Sequence, residues 1–367
     1  MLSVVARSKG WAQDYFQTQK DEYYLGQATE TFYGGKACKF AGDPVLESSG
    51  QFVKLKSGKT FMDFIPDGKG ERACFDMVFT VDKSLSVLIE LTDDPKLREE
   101  LIEIHNNAVC EAMQEFEKMA YTRLSHRVAG KKIIDPVYPG KVEWAAFTHH
   151  TSQDNDPDVH THVIVPNRIK VFGKDYAMEP ADLLKPKSST KIALGKFYRA
   201  SVVNQLRAKK EMLVKISDYK NFFYEVAGVE PETIKQFSKR SETIKAEYER
   251  VKDDFAESEK AKVKQKITTE TRGKKDKGKT IEELREIWRA ESPQKNISAV
   301  KQSVNLATAE DIDNAFASAW NKLSENRSSF TELNLMVAVR QNLIYENLRF
   351  NEKDLHAALK KKPKKRS

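Results

Sequence analysis

Four of the chain's seven histidines fall within one short stretch, His149, His150, His160 and His162 in HHTSQDNDPDVHTH. Side chains alternate between the two faces of a β-strand, so His160 and His162 point the same way. A hairpin through residues 151–159, rich in Asp, Asn and Pro, folds His149 or His150 back toward that pair. Period-two counting puts those two on opposite faces, so only one joins the pair, and register decides which. Three imidazoles without a thiolate make a facial site for a divalent cation, with positions left open for water or substrate. Imidazole suits Zn, Mn, Ni, Co or Fe, so the donor set alone does not choose the metal. Four polar histidines on an exposed sheet face are the plainer alternative. Three of them converging across a hairpin favour the metal.

Such a site works with a nucleophile, either hydroxide on the metal or a side chain. Tyr15, Tyr23 and Tyr24 lie on or beside the first helical stretch. Alone they say little, because aromatic residues on a helix more often pack than react. Asp76 sits among large apolar residues in CFDMVF. A carboxylate there needs a partner. It either pairs with a basic residue or serves a site, and orienting a metal-ligating histidine through its second ring nitrogen is one such service.

The elements that must position these residues follow from periodicity. Residues 12–24 read as a helix, 30–64 as mostly loop and turn, and 72–81 as a strand carrying Asp76. Residues 95–120 place Leu101, Ile104, Ala108, Ala112 and Phe116 at helical spacing behind Pro95. Residues 141–150 and 160–171 read as the two strands of the histidine hairpin. Further helices are expected over 189–213, 231–250, 280–291, 307–323 and 329–360. Hairpin-linked strands among helices argue an α+β fold rather than a doubly wound parallel sheet.

Composition narrows the class. The chain has 367 residues, 40% of them apolar and 32% charged, and a formal net charge of +8. No apolar run approaches the ~20 residues of a membrane span, so no membrane insertion is expected. The apolar stretch at the N-terminus is too short for a secretory signal. Cys38, Cys74 and Cys110 are widely spaced and odd in number, which fits a reducing compartment without a disulfide framework. The positive surplus is clustered. Residues 260–279 carry nine Lys or Arg, and the last eight residues, KKKPKKRS, carry six. Such clusters favour a polyanionic partner. Within the first cluster, GKKDKGKT (273–280) fits the phosphate-loop pattern. The charged stretch before it cannot be the buried strand that such a loop requires, so it reads as a basic loop.

Taken in order, these motifs resemble the relaxase domain of the MobF-class conjugative relaxases, members of the HUH endonucleases. The resemblance begins at the MLS of residue 1, which implies a native N-terminus, and extends to about residue 300. The family's paired tyrosines fall on Tyr15–Phe16 and Tyr23–Tyr24, and its carboxylate strand on FDMVFTVDKSLS (75–86) with Asp76. Its metal motif falls on FTHHTSQDNDPDVHTH (147–162), with His149, His160 and His162 as the ligands, and a later segment on FSKRSETI (237–244). The first pair departs from the pattern, because Phe16 has no hydroxyl.

The resemblance implies a five-stranded antiparallel sheet flanked by helices, with a relaxase domain over 1–300. Residues 301–367 then form a helical segment like the start of a helicase region, ending in a basic tail. It implies a divalent metal ion, Mg or Mn in function, with Zn, Ni or Co also able to occupy the site. It implies nicking of single-stranded plasmid DNA at a transfer origin, beside a hairpin, through a 5′-phosphotyrosyl intermediate on Tyr15. Tyr23 or Tyr24 would serve a second transfer, and Asp76 would either take the tyrosine proton or hold a ligating histidine. Relaxosome accessory and coupling proteins are the implied partners, and the bacterial cytoplasm the implied location. A rolling-circle replication initiator would use the same chemistry. A three-His hydrolase working through metal hydroxide would need no tyrosine.

Overall fold

The computed structural model describes residues 2–24, 28–34, 60–67, 72–179, 183–185, 188–255, 278–326 and 329–361, with isolated positions between them. For residues 17–24, 28–34 and 326 the description covers the backbone alone. Strand β1 (Leu2–Arg7) leads into helix α1 (Lys9–Tyr24). Ser8 caps that helix, its hydroxyl accepting from the Trp11 amide at 3.1 Å. Then come β2 (Ala28–Gly34), β3 (Cys74–Thr80), α2 (Lys83–Leu91) and α3 (Pro95–Met119). The α3 start carries the expected Pro95 behind an Asp94 cap, whose carboxylate accepts from the Lys96 and Leu97 amides at 3.0 and 3.1 Å.

A two-stranded ribbon follows, β4 (Thr122–Val128) with β5 (Lys131–Val137), and then the histidine hairpin, β6 (Trp144–Thr151) with β7 (Pro157–Pro166). Next are a short hairpin, β8 (Ile169–Val171) with β9 (Lys174–Tyr176), the helix α4 (Ser189–Lys210), and β10 (Val214–Asp218) with β11 (Phe223–Val226). Among the described residues, helices with defined bounds then follow as α5 (Pro231–Gln236), α6 (Lys239–Val251), α7 (Ile281–Glu291), α8 (Ala309–Asn326), α9 (Glu332–Tyr345) and α10 (Glu352–Lys360).

The main sheet is antiparallel throughout, in the order β1-β3-β7-β6-β2. β1, β3, β7 and β6 form its body, and β2 lies along the outer edge of β6. One face, with Phe75, Met77, Phe79, Val163 and Val165, packs into the large core under α2, α3 and α4. The other face, with Cys74, Ala145, Phe147 and Ile164, is covered by Ala12 and Phe16 of α1 and by Phe61 and Ile65. This is the expected α+β arrangement, an antiparallel sheet between helices.

Several elements differ from the sequence reading. The stretch 30–64 contains β2 and a 3-10 turn at Phe61–Phe64; most of its other residues lie outside the described ones. The expected 231–250 helix breaks between Gln236 and Lys239. The 329–360 stretch is two helices, parted where Asn347 adopts a left-handed φ of 55°. Asn tolerates that conformation better than most residues. Among the described residues no helix is long and apolar enough to cross a membrane. Cys74 and Cys110 are free thiols, while Cys38 lies outside the described residues.

Candidate active site

The hairpin register does what the spacing demanded. His149 pairs directly with His160 and Phe147 with His162, so these residues share one face. The three imidazoles form a near-equilateral triangle with centroid separations of 5.2, 5.3 and 5.3 Å. His150 points to the opposite face. There its Nδ1 lies 2.6 Å from the Glu90 carboxylate, which also takes the Arg285 guanidinium at 2.9 Å. All three are buried. The question between His149 and His150 is answered by geometry: one faces the triangle, the other a buried ion network.

Asp76 comes to the same face from β3, diagonal to His162 across the sheet. Its Oδ1 lies 2.7 Å from His162 Nδ1, and its Oδ2 accepts from the Arg7 guanidinium at 3.3 Å. Burial alone would raise the Asp76 pKa, but His162 and then Arg7 outweigh it and hold the carboxyl below its ordinary range. The carboxylate anchors the ring through Nδ1 and leaves His162 Nε2 as the donor. His160 is set likewise, its Nδ1 2.8 Å from the Asp158 carbonyl.

Tyr15 reaches the triangle from α1. Its phenol lies 3.2 Å from His149 Nε2, and its ring centroid lies 5.3 Å from that of His162. Trp11 stacks on the Tyr15 ring at 4.8 Å, and the Arg7 guanidinium lies over Trp11 at 4.4 Å. Phe16 turns away into the core, 4% exposed, with its ring 5.3 Å from Phe147. The residue that lacks the hydroxyl is therefore the one that packs. Tyr23 and Tyr24 end α1, and their side chains lie outside the described residues.

The sequence reading missed Arg7 and Trp11. Nothing in their spacing marks them, and their part appears only when β1 pairs with β3 and α1 folds over the sheet. It also missed the clamp on the histidine hairpin. The Asp156 carboxylate accepts from the Lys239 amide at 2.9 Å, and Trp288 Nε1 donates to the Asn155 carbonyl at 2.8 Å. The segment FSKRSETI thus meets the hairpin turn through Lys239. The GKKDKGKT stretch lies mostly outside the described residues, apart from Thr280, which caps α7, and the two residues before it.

Among the described residues no group of three or more His, Cys, Asp or Glu side chains stands, as placed, where it could hold a metal ion. The donor chemistry nevertheless fits one cation. His160 and His162 have Nδ1 occupied, and the ring edge of His149 that faces the site is held by the Tyr15 phenol.

The TrwC relaxase family model matches residues 9–295. The multifunctional conjugation protein TraI of Escherichia coli is 29% identical over 258 residues, covering 67% of this chain and 14% of TraI. The TraI of strain K12 is 27% identical over 261 residues. The chain therefore spans about a seventh of the curated relatives it matches. Among solved structures, metal-bound conjugative relaxase TrwC in complex with oriT DNA superposes with a TM-score of 0.61 at 24% identity, covering 81% of this chain and 99% of that one. TrwC complexed with a 27-mer comprising the recognition hairpin and the cleavage site gives a TM-score of 0.61 at 22% identity.

Proposed function

The chain belongs to the TrwC relaxase family, and on that premise we propose that it nicks and rejoins one DNA strand at a plasmid transfer origin, through a tyrosyl-DNA intermediate. The observation that carries this reading is the Tyr15 hydroxyl set 3.2 Å from a ring of the three-histidine triangle. In this reading β2 counts as the fifth strand of the palm, the relaxase motifs lie within residues 1–300, and His149, His160 and His162 would hold a divalent cation.

A cation there would polarise the scissile phosphate and offset its developing charge. The residues of the chain do the rest. Asp76 and the Asp158 carbonyl fix the rings of His162 and His160. Trp11 holds the ring of Tyr15, so the oxygen arrives aimed. The Tyr15 oxygen bonds to phosphorus, the bond from phosphorus to the 3′-oxygen breaks, and the proton that the phenol gives up to solvent is balanced by one that the departing 3′-oxygen takes from it to leave as a hydroxyl. The phosphodiester passes onto Tyr15 as a 5′-phosphotyrosyl ester, and the 3′-hydroxyl can later reverse the step. The ribbon β4–β5 supports a nucleic-acid partner. It projects Arg123, Arg127, Lys131 and Lys132 beside the exposed Val128 and Ile134. The metal's identity, a hairpin beside the nick, accessory and coupling proteins, a cytoplasmic setting and a second transfer by Tyr23 or Tyr24 belong to the same proposal.

The test is a denaturing gel with single-stranded oligonucleotides from the transfer origin, labelled on the 3′ side of the nick. Wild type gives a shifted protein–DNA band. Tyr15→Phe keeps the packing and gives no band in the initial nick, and a His160→Ala, His162→Ala double variant gives none either. An undiminished band with Tyr15→Phe moves the nucleophile to Tyr23 or Tyr24. Metal-dependent cleavage with no band in any variant replaces the tyrosine mechanism with a metal-hydroxide one.

A further inference from the structure

The hairpin β8–β9 ends in a two-residue turn, Phe172–Gly173, with φ of 49° and 78°. Positive φ at both central positions defines the turn that matches strand twist, and its inexpensive sequence is Asn-Gly or Asp-Gly. A bulky aromatic residue in the left-handed region is strained. Phe172 gains no burial in exchange, since it is 88% exposed, the highest value among the large exposed apolar residues described. The hairpin's root is well anchored: Ile169 and Val171 are buried in the main core. A strained, solvated aromatic ring on a firm support is what a contact residue looks like before its partner arrives.

The surroundings say which partner. Lys170 and Lys174 stand two residues before and after Phe172 in the hairpin and are exposed, while Asp175 is paired with Arg168. The basic ribbon β4–β5 is tied to the same segment of chain, with the Thr122 hydroxyl donating to the Ala177 carbonyl and the Glu179 amide to the Tyr121 carbonyl, both at 2.8 Å. Cations on either side of an exposed aromatic residue along the chain suit phosphates on either side of a base. Inside a duplex each base face is covered by its neighbours, so the ring can take only an unpaired base.

We propose that Phe172 is a stacking residue for one unpaired base of single-stranded DNA, with Lys170 and Lys174 on the adjoining phosphates. This rests on the DNA-nicking reading and adds to it a contact away from the chemistry. Pro166 is already four residues beyond His162 along β7, ~13 Å at strand rise, and the turn follows six residues later in the chain, so the contact is assigned to a base other than the scissile one.

The test is fluorescence anisotropy at low salt, using a labelled oligodeoxythymidylate and a blunt duplex of the same length. Phe172→Leu and Phe172→Asn should weaken single-strand binding by about tenfold, and Phe172→Trp should retain it. The salt slope should be unchanged in all three, while the Lys170→Ala, Lys174→Ala double variant should lower it by about 1.4, two single-strand phosphates' worth. Phe172→Asn should melt no lower than wild type, because Asn accepts the left-handed conformation. Leucine binding like phenylalanine overturns the stacking role, and an equal loss on the duplex overturns the choice of single strand. A wild type that binds neither probe overturns the DNA reading itself, an outcome distinct from either of those.

Discussion

A free phenol is a poor nucleophile at neutral pH, with a pKa of about 10, so the position of Tyr15 matters more than its presence. Its oxygen sits 3.2 Å from His149 Nε2, and that nitrogen has one lone pair. It can accept the phenol proton or bind a cation, not both at once. On the proposed reading, a cation taken up by His149 would displace the phenol from that nitrogen and leave it beside the triangle, where the scissile phosphate would come. The ring does not wander on release, because Trp11 stacks on one side and Phe147 meets it edge-on at 5.9 Å. Asp76 is tied up in other work: one carboxylate oxygen holds His162 and the other Arg7. That arrangement favours a positioning role over proton abstraction from Tyr15. Asp76→Asn keeps the shape but removes the charge facing two cationic or polarised partners. It should weaken Mn2+ binding by about 10- to 100-fold, the usual cost of losing an outer-shell carboxylate. Adduct formation should then return in excess Mn2+. Isothermal titration calorimetry measures the first and the gel assay the second, and an unchanged metal affinity would remove Asp76 from this role.

The elements that carry the triangle were the most readable in the sequence, since an H-x-H pair in a strand and a turn-rich stretch before it leave little choice of geometry. The strand carrying Asp76 and the helix start at Pro95 were readable too, though the strand begins at Cys74, two residues later than the 72–81 reading. What escaped was whatever lacks an amphipathic period. Helix α2 is buried along its whole length from Ser84 to Leu91, so no polar face marks it as helical. The ribbon β4–β5 is exposed on both faces over most of its length, so it shows no inward alternation. β1 and β2 are edge strands, and His150 became structural only through Glu90 and Arg285, each distant in sequence. Behind the triangle a second polar set also lay hidden. His105 of α3 bonds Tyr198 through Nδ1 and Thr161 through Nε2, both at 2.7 Å, and Thr161 lies between His160 and His162. Burial pushes the His105 pKa down to about 3, so the ring is neutral in the fold. A lowered histidine pKa gives stability that is complete above the unfolded value near 6.5 and is lost as pH falls from there toward 3. His105→Gln retains hydrogen-bonding capacity without titrating. Its melting temperature should fall less steeply than wild type's between pH 6.5 and 4, and parallel curves for the two proteins would assign the acid sensitivity elsewhere.

At the scale of the molecule, the two basic clusters that gave the chain much of its charge lie mostly outside the described residues, and the described cations proposed to meet DNA sit on the two hairpins instead. The family match stops at residue 295, yet the fold does not stop there. Gln302 donates its amide to the Glu211 carbonyl at 2.6 Å, carrying the chain back along the end of α4. The Asn204 side chain of α4 both donates to the Phe350 carbonyl and accepts its amide, each at 2.9 Å, and the Arg207 guanidinium donates to the Ile344 carbonyl at 3.0 Å. Asn204 and Arg207 are buried, as is Arg340 of α9, whose guanidinium lies 3.7 Å over the Phe197 ring and pairs with Glu352. The apolar side chains of α8 and α9, among them Phe316, Leu335, Val339 and Leu343, belong to the same core cluster as the sheet. α4 in turn packs Leu194, Phe197 and Val203 into that cluster. Cutting after residue 300 would therefore strip one side of the helix that backs the sheet carrying the histidine triangle. It would leave buried amide and guanidinium groups without partners, at ~1–3 kcal/mol for each group or more where charged. A chain of residues 1–300 should consequently melt at least about 5 °C lower than the full chain, or accumulate as insoluble protein. Any nicking activity it keeps should fall in parallel with its folded fraction. Differential scanning calorimetry of the two lengths decides it. An equal melting temperature with full adduct formation would make residue 300 a true domain boundary and the last three helices a passive appendix.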